Sequence, residues 1–132
     1  MASKLYPKAK EAFLSGLIDL TGDTIKAAMV DTGTYTYSDS HQYYSHLSGV
    51  VGTDVTLAGK SVTNGIFDAT DVTWTAVSGA TVEAIVLYKS TGVAGTSRLI
   101  AYIDAGTGLP FTPSGADQKV QWSNGPNKIF AL

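Results

Sequence analysis

"ATVEAIVLYK" (residues 80–89) is the stretch on which the fold turns. Val82, Ala84, Val86 and Tyr88 alternate with Ile85 and Leu87, so an extended backbone presents apolar side chains on both sides. A half-wet antiparallel strand alternates apolar with polar residues. Two apolar faces instead predict a central strand covered twice. "SRLIAYID" (97–104) repeats this character, with Leu99, Ala101 and Ile103 expected on one face and Ile100 and Tyr102 on the other. The link "STGVAGT" (90–96) is short and Gly-bearing, which makes an antiparallel pair the economical connection.

Outward from this pair the chain reads as short strands. "DTIKAAMVD" (23–31) is the first, and "TYTYS" (34–38) alternates as well, placing Tyr35 and Tyr37 on one face. "DVTLAGKSVTNGIFDATDVTWTAVSG" (54–79) is a strand series broken at Ala58–Gly59, Asn64–Gly65, "DATD" and Ser78–Gly79. Asn–Gly favours the left-handed backbone of tight hairpins. After the loop "AGTGLPFTPSGAD" (105–117) come "KVQWS" and "KIFAL", joined by the turn "NGPN" (124–127), with Phe130 and Leu132 expected in a locked terminal strand. One helix is expected, in "YPKAKEAFLSG" (6–16): Pro7 suits the first helical position, Ala9, Ala12 and Phe13 share a face, and Gly16 is the stop. Some eight or nine strands with turn signals about every 8–12 residues predict a mainly β fold, an antiparallel β-sandwich or barrel-like domain. Residues 1–132 are expected to form one domain, preceded by a short N-terminal arm of about residues 1–6.

Composition narrows the chemistry. With no cysteine there is no disulfide, thiolate metal site or cysteine nucleophile. A net charge of −2 and scattered lysines provide no basic stripe for phosphates, so nucleic acid is not an expected partner. "LYPKAKEAFLSGLIDL" carries Glu11 and no continuous apolar stretch, and neither a targeting segment nor a membrane span is read.

The candidate reactive groups have structural explanations. "DVTLAGKS" (54–61) ends like a phosphate-binding loop but begins with Asp54, an anion where the motif needs glycine, and a strand follows it instead of a helix. His41 and His46, with Asp39 as a third ligand, are zinc candidates, but a spacing of five need not bring them together. Asp68 and Asp71, with Asn64, could offer calcium oxygens, but the full calcium-loop pattern and its terminal Glu are missing, and bonds back to turn backbone account for such residues more often. No G-x-S-x-G elbow occurs. Glu83 is expected to be a buried or interface carboxylate paired with Arg98 or Lys89 rather than a catalytic acid. No cofactor, metal site or catalytic residue is expected, and the chain is read as a non-enzyme.

"DTGTYTYSDSHQYYSHLSGV" (31–50) gathers four tyrosines and both histidines. Trp74 and Trp122 are expected in the core. Adjacent Tyr43 and Tyr44 point to opposite sides of an extended chain, so one of them should meet solvent or a partner. Tyrosine offers rigid amphipathic area, which suits a protein contact. The expected contact residues are His41, Tyr43, Tyr44 and His46, joined by Tyr35 and Tyr37, with the arm Lys4, Leu5 and Tyr6 second.

From about residue 5 to its end the chain resembles small virion structural proteins of tailed bacteriophages. The phrases that carry the resemblance are "LYPKAKEAFLSG", "DTIKAAMVDTGTYTYSDSHQYYSHL", "GIFDATDVTWTAV", "VLYKSTG", "SRLIAYIDAGTGLPFTP" and "VQWSNGPNKIFAL". The resemblance implies a virion component, made in the host cytoplasm, that binds other virion proteins. The leading role is a capsid decoration (cement) protein bound to the major capsid protein and able to form a homo-oligomer, such as a trimer. A tail-associated or spike component, or a carbohydrate-binding module contacting the host surface, is the alternative.

Overall fold

The computed structural model describes residues 4–104, 109–122 and 128–131. The fold is mainly β, with antiparallel sheets and one short helix near the N-terminus. The elements in chain order begin with β1 (Lys4–Leu5), α1 (Pro7–Leu14), β2 (Ile25–Val30) and β3 (Val50–Thr56). Then come β4 (Ser61–Thr63), β5 (Ile66–Asp68), β6 (Val72–Trp74), β7 (Ala84–Lys89) and β8 (Arg98–Ile103), followed by β9 (Gln118–Val120) and β10 (Phe130–Ala131).

The main sheet runs β1-β8-β7-β2-β3, antiparallel throughout. β7 sits at its centre, as two apolar faces require. Ile85 and Leu87, with Ile25, Ala27 and Met29 of β2, face one core. Ala84, Val86 and Tyr88, with Ala28 and Val30, face a second.

Two small sheets cover the first face in a sandwich-like arrangement. One is β10-β5-β4 and the other is the pair β6-β9. They contribute Phe67, Val72, Trp74 and Val120 to the first core, and Trp122 joins them, as expected of both tryptophans. The Asn64–Gly65 turn forms as read: both residues have positive φ (52° and 76°) and Thr63 pairs with Ile66 across them. β9 and β10 belong to different sheets; the "NGPN" turn and Leu132 lie outside the described residues.

Helix α1 behaves as its sequence directs. Pro7 occupies the first turn, and Gly16 and Leu17 close the C-terminus by donating to the Phe13 and Ala12 carbonyls at 3.2 and 2.8 Å. Ala9 packs into the second core and Ala12 into the first, while Phe13 touches both. A helix of two turns is marginal alone, and this double anchorage holds it.

Within the N-terminal arm, Lys4 and Leu5 pair with Tyr102 and Ala101 as an edge strand. Two expectations are corrected. "TYTYS" is not a strand; after a turn at residues 32–34 it runs as irregular chain. The face assignment of "SRLIAYID" shifts at a bulge. Leu87 pairs with Ala101 but Tyr88 with Leu99, so Ile100 is an extra residue and the alternation resets. Ile100 thereby joins Ala101 and Ile103 in the first core, and Leu99 joins Tyr102 in the second.

Leu87 is wholly buried, whereas Val62 on β4 is about half exposed (51%). Leu87→Ala should therefore cost about 2–5 kcal/mol of unfolding free energy. Val62→Ala should stay within about 0.5 kcal/mol. Urea unfolding of both variants checks the assignment.

Candidate contact surface

Residues 31–49 form a strap that folds back onto the main sheet. Its neck is closed by the Asp31 N–H donating to the Gly49 carbonyl at 2.9 Å, and a Cβ at Gly49 would stand 2.8 Å from Thr34 Cβ. The side chains of the strap supply the missing cover for the second core. Tyr35 is buried there, and Tyr37, Tyr44 and Leu47 pack against it. Tyr44 lies over Tyr88 (ring centroids 4.7 Å apart) and Tyr37 stacks on Tyr6 at 4.9 Å.

The strap also seals an edge. Beyond β1, the outer edge of β8 is open at residues 97–99, and there the Leu99 N–H donates to the Gln42 carbonyl (2.9 Å). The Tyr44 N–H donates to the Ser97 carbonyl (2.8 Å), and Tyr43 stands opposite Arg98 in an antiparallel bridge. Just downstream on β8, the Tyr6 N–H reaches the Ile100 carbonyl at 3.0 Å. The arm and the strap thus occupy one sheet edge end to end, which leaves few unpaired backbone groups along it.

This placement divides the expected contact residues. Tyr6 and Tyr35 are corrected: at 0% and 2% exposure they are core residues, because the sheet face beneath them is apolar. Their hydroxyls bond each other at 2.8 Å, and Tyr35 O–H reaches His41 Nδ1 at 2.7 Å. Leu5 is half-buried against the first core. Tyr37 and Tyr44 are half-buried supports. Tyr43, His41, His46 and Lys4 remain at the surface or partly so.

The histidines do converge, contrary to the spacing argument. A 3-10 turn at Tyr44–His46 reverses the chain and stacks the two rings 5.5 Å apart at 18°. His46 Nδ1 accepts from the Gln42 and Tyr43 N–H groups, both at 3.1 Å. Among the described residues no group of three or more His, Cys, Asp or Glu side chains is placed to hold a metal ion. Outside the strap, Asp68 Oδ1 accepts the Ala69 N–H and Asp71 Oδ1 accepts the Trp122 N–H, both backbone roles. Glu83 is bonded to Thr32 Oγ1 at 2.5 Å, not to Arg98 or Lys89. Arg98 lies over the Tyr43 ring, and Lys89 pairs with Asp23 at 3.2 Å.

Burial sets the electrostatics. It raises the hydroxyls of Tyr6, Tyr35, Tyr37, Tyr88 and Tyr102 above the usual phenol range, and the Tyr44 hydroxyl is pushed up to about 12. Asp54 adds to this at Tyr88, whose O–H donates to it at 2.5 Å. The His41 ring is held below its ordinary value, first by burial and then by His46.

The sequence reading missed two surface features. A cavity of about 290 Å³ opens beside the strap, lined by Lys26, Tyr44, Asp54, Tyr88, Ser90 and the 92–97 turn. Its Asp54 belongs to a bulge in which Gly52, Thr53 and Asp54 stand opposite Ala28 alone, an irregularity that alternation does not announce. An apolar groove of about 280 Å³ runs between Phe13, Ile18, Leu20, Val62, Phe67 and Phe130. Exposed Val62 and the aliphatic run after Phe13 were its only signals.

No family model matches the chain, and no curated protein matches it significantly. Among the described residues no helix is long and apolar enough to cross a membrane.

The Tyr35 hydroxyl is bonded both to Tyr6 and to His41 Nδ1, so Tyr35→Phe deprives two polar groups of their partner, whereas Tyr6→Phe leaves the Tyr35–His41 bond in place. Expected losses are about 1–3 kcal/mol for Tyr35→Phe and about 0.5–1.5 kcal/mol for Tyr6→Phe. Chemical denaturation of the pair gives the order.

Proposed function

We propose that this chain is a structural protein of a tailed-bacteriophage particle, a decoration (cement) protein that binds the major capsid protein on the assembled head. The reading rests on the sequence phrases that resemble such proteins, and one observation gives it a surface. The outer side of the strap presents Tyr43 under the Arg98 guanidinium (5.4 Å to the ring centroid), flanked by His46. The neighbouring turn carries Val93, 60% exposed. Tyrosine and arginine are the residue types that most often dominate binding energy at protein interfaces. Here both are held on backbone already bonded to β8, so little conformational entropy is lost on docking. A protein of this kind stabilises a shell by adding buried area across subunit junctions, singly or as a homo-oligomer such as a trimer.

The test is co-sedimentation of the purified chain with heads of the encoding virus assembled without it. Binding should be saturable, and Tyr43→Ala combined with Arg98→Ala should weaken it by about tenfold or more with the fold intact by circular dichroism. A chain that leaves the heads bare overturns the reading.

One observation favours a second reading, a tail-associated component that binds host glycan. The cavity beside the strap places the Lys26 ammonium, which makes no ion pair among the described residues, near the Asp54 carboxylate and two phenols. Under that reading a glycan array gives saturable hits that Lys26→Ala abolishes; an array without hits removes it.

A further inference from the structure

We propose that His41 and His46 form an acid-operated latch: each ring serves the strap as a hydrogen-bond acceptor through Nδ1, and protonating either removes that acceptor and loosens residues 41–47 from the β8 edge.

The geometry fixes the protonation state that the strap requires. His46 Nδ1 faces two backbone N–H groups, those of Gln42 and Tyr43, and can accept from them only with its own proton on Nε2. The same two residues carry the edge contact, since the Gln42 carbonyl receives the Leu99 N–H and Tyr43 pairs with Arg98. At His41, Nδ1 is bonded to the Tyr35 hydroxyl, which is bonded in turn to that of Tyr6; with the ring accepting, both hydroxyl protons find a place, that of Tyr6 on Tyr35 and that of Tyr35 on the ring. With a proton on Nδ1 the ring donates to the Tyr35 oxygen instead, and one of the two buried hydroxyl protons, that of Tyr6 or that of Tyr35, is left without an acceptor.

The surroundings do little to neutralise an imidazolium. From the strap, Tyr35 faces His41 and Tyr43 faces His46. From β8, Arg98 lies over Tyr43 and Tyr102 beside Tyr35. From β1, Lys4 stands 4.0 Å over Tyr37 and 3.6 Å from Asp39, whose other neighbour is the Tyr37 hydroxyl. Two of these groups are permanent cations, and the one carboxylate is already engaged. The two rings are stacked, so one imidazolium also opposes the next.

The sign follows from the lowered His41 value. The unfolded His41 ring binds its proton at a higher pH than the folded one, so the His41 contribution to the latch is complete above the ordinary histidine range. It is lost as the pH falls from that range through the folded value. Opening leaves the Leu99 N–H and the Ser97 carbonyl unpaired, an edge available to another strand. The latch belongs to the isolated chain and is independent of any particle partner.

Amide protection factors measured by NMR at about pH 8 and about pH 5 test it, with intrinsic exchange rates divided out. The Tyr44 and Leu99 amides should lose protection by about tenfold or more at the lower pH, while central β7 amides change little. In the double variant His41→Asn, His46→Asn, an amide oxygen stands where each Nδ1 was and cannot titrate, so strap protection should become pH-independent. Native strap protection that ignores pH, or an equal loss in the Asn variant, overturns the latch. Should the variant not fold, the native ring resonances decide: strap amide shifts must move with the histidine midpoints, and amides that stay still overturn it.

Discussion

The structure follows from one constraint: β2 and β7 are apolar on both faces, so the main sheet must be covered twice. Ile85 and Leu87 on one side, and Ala84, Val86 and Tyr88 on the other, are each at most 5% exposed. Leaving the larger of these side chains wet would cost about 1.5–3 kcal/mol apiece. The first face is covered in an ordinary way, by two further sheets. Among the described residues the second is covered by Tyr6, the helix and the 31–49 strap, and the tyrosines do most of that work.

Covering a sheet face with irregular chain creates its own problem, because loops bring backbone polar groups that need partners. The strap solves this by aligning Gln42–Tyr44 with the free edge of β8, upstream of the pairing with β1. The hydroxyls that come with the tyrosines are linked to one another, to His41 and to the Asp39 and Asp54 carboxylates. Groups that look reactive in the sequence are here the fastenings of a second core. What is left facing outward, Tyr43 with Arg98 and His46, is preorganised by the same bonds, and this is why a binding role suits the fold.

Much of this was legible from the sequence. Two-sided apolarity identified β7, Asn64–Gly65 the β4–β5 hairpin, and Pro7 and Gly16 the helix ends, because each is a local rule that nothing distant overrode. The side of the sheet on which Leu99 and Ile100 fall was not legible: one bulge residue resets the alternation, and bulges leave no mark in composition. The strap was misread for a related reason. "TYTYS" has the period of a strand, but its tyrosines are drawn to a sheet face formed by residues 26–102, and no local pattern expresses that pull. A spacing of five matches no regular element that would bring the histidines together, whereas a single 3-10 turn does so.

The central claim, that the Tyr/His segment is a built part of the fold, is most directly tested by nuclear Overhauser contacts between aromatic rings in solution. The account predicts cross-peaks from Tyr44 to Tyr88 and from Tyr37 to Tyr6, matching centroid separations of 4.7 and 4.9 Å. Strap rings with unstructured-chain shifts and no contacts to Tyr6 or Tyr88 would contradict it.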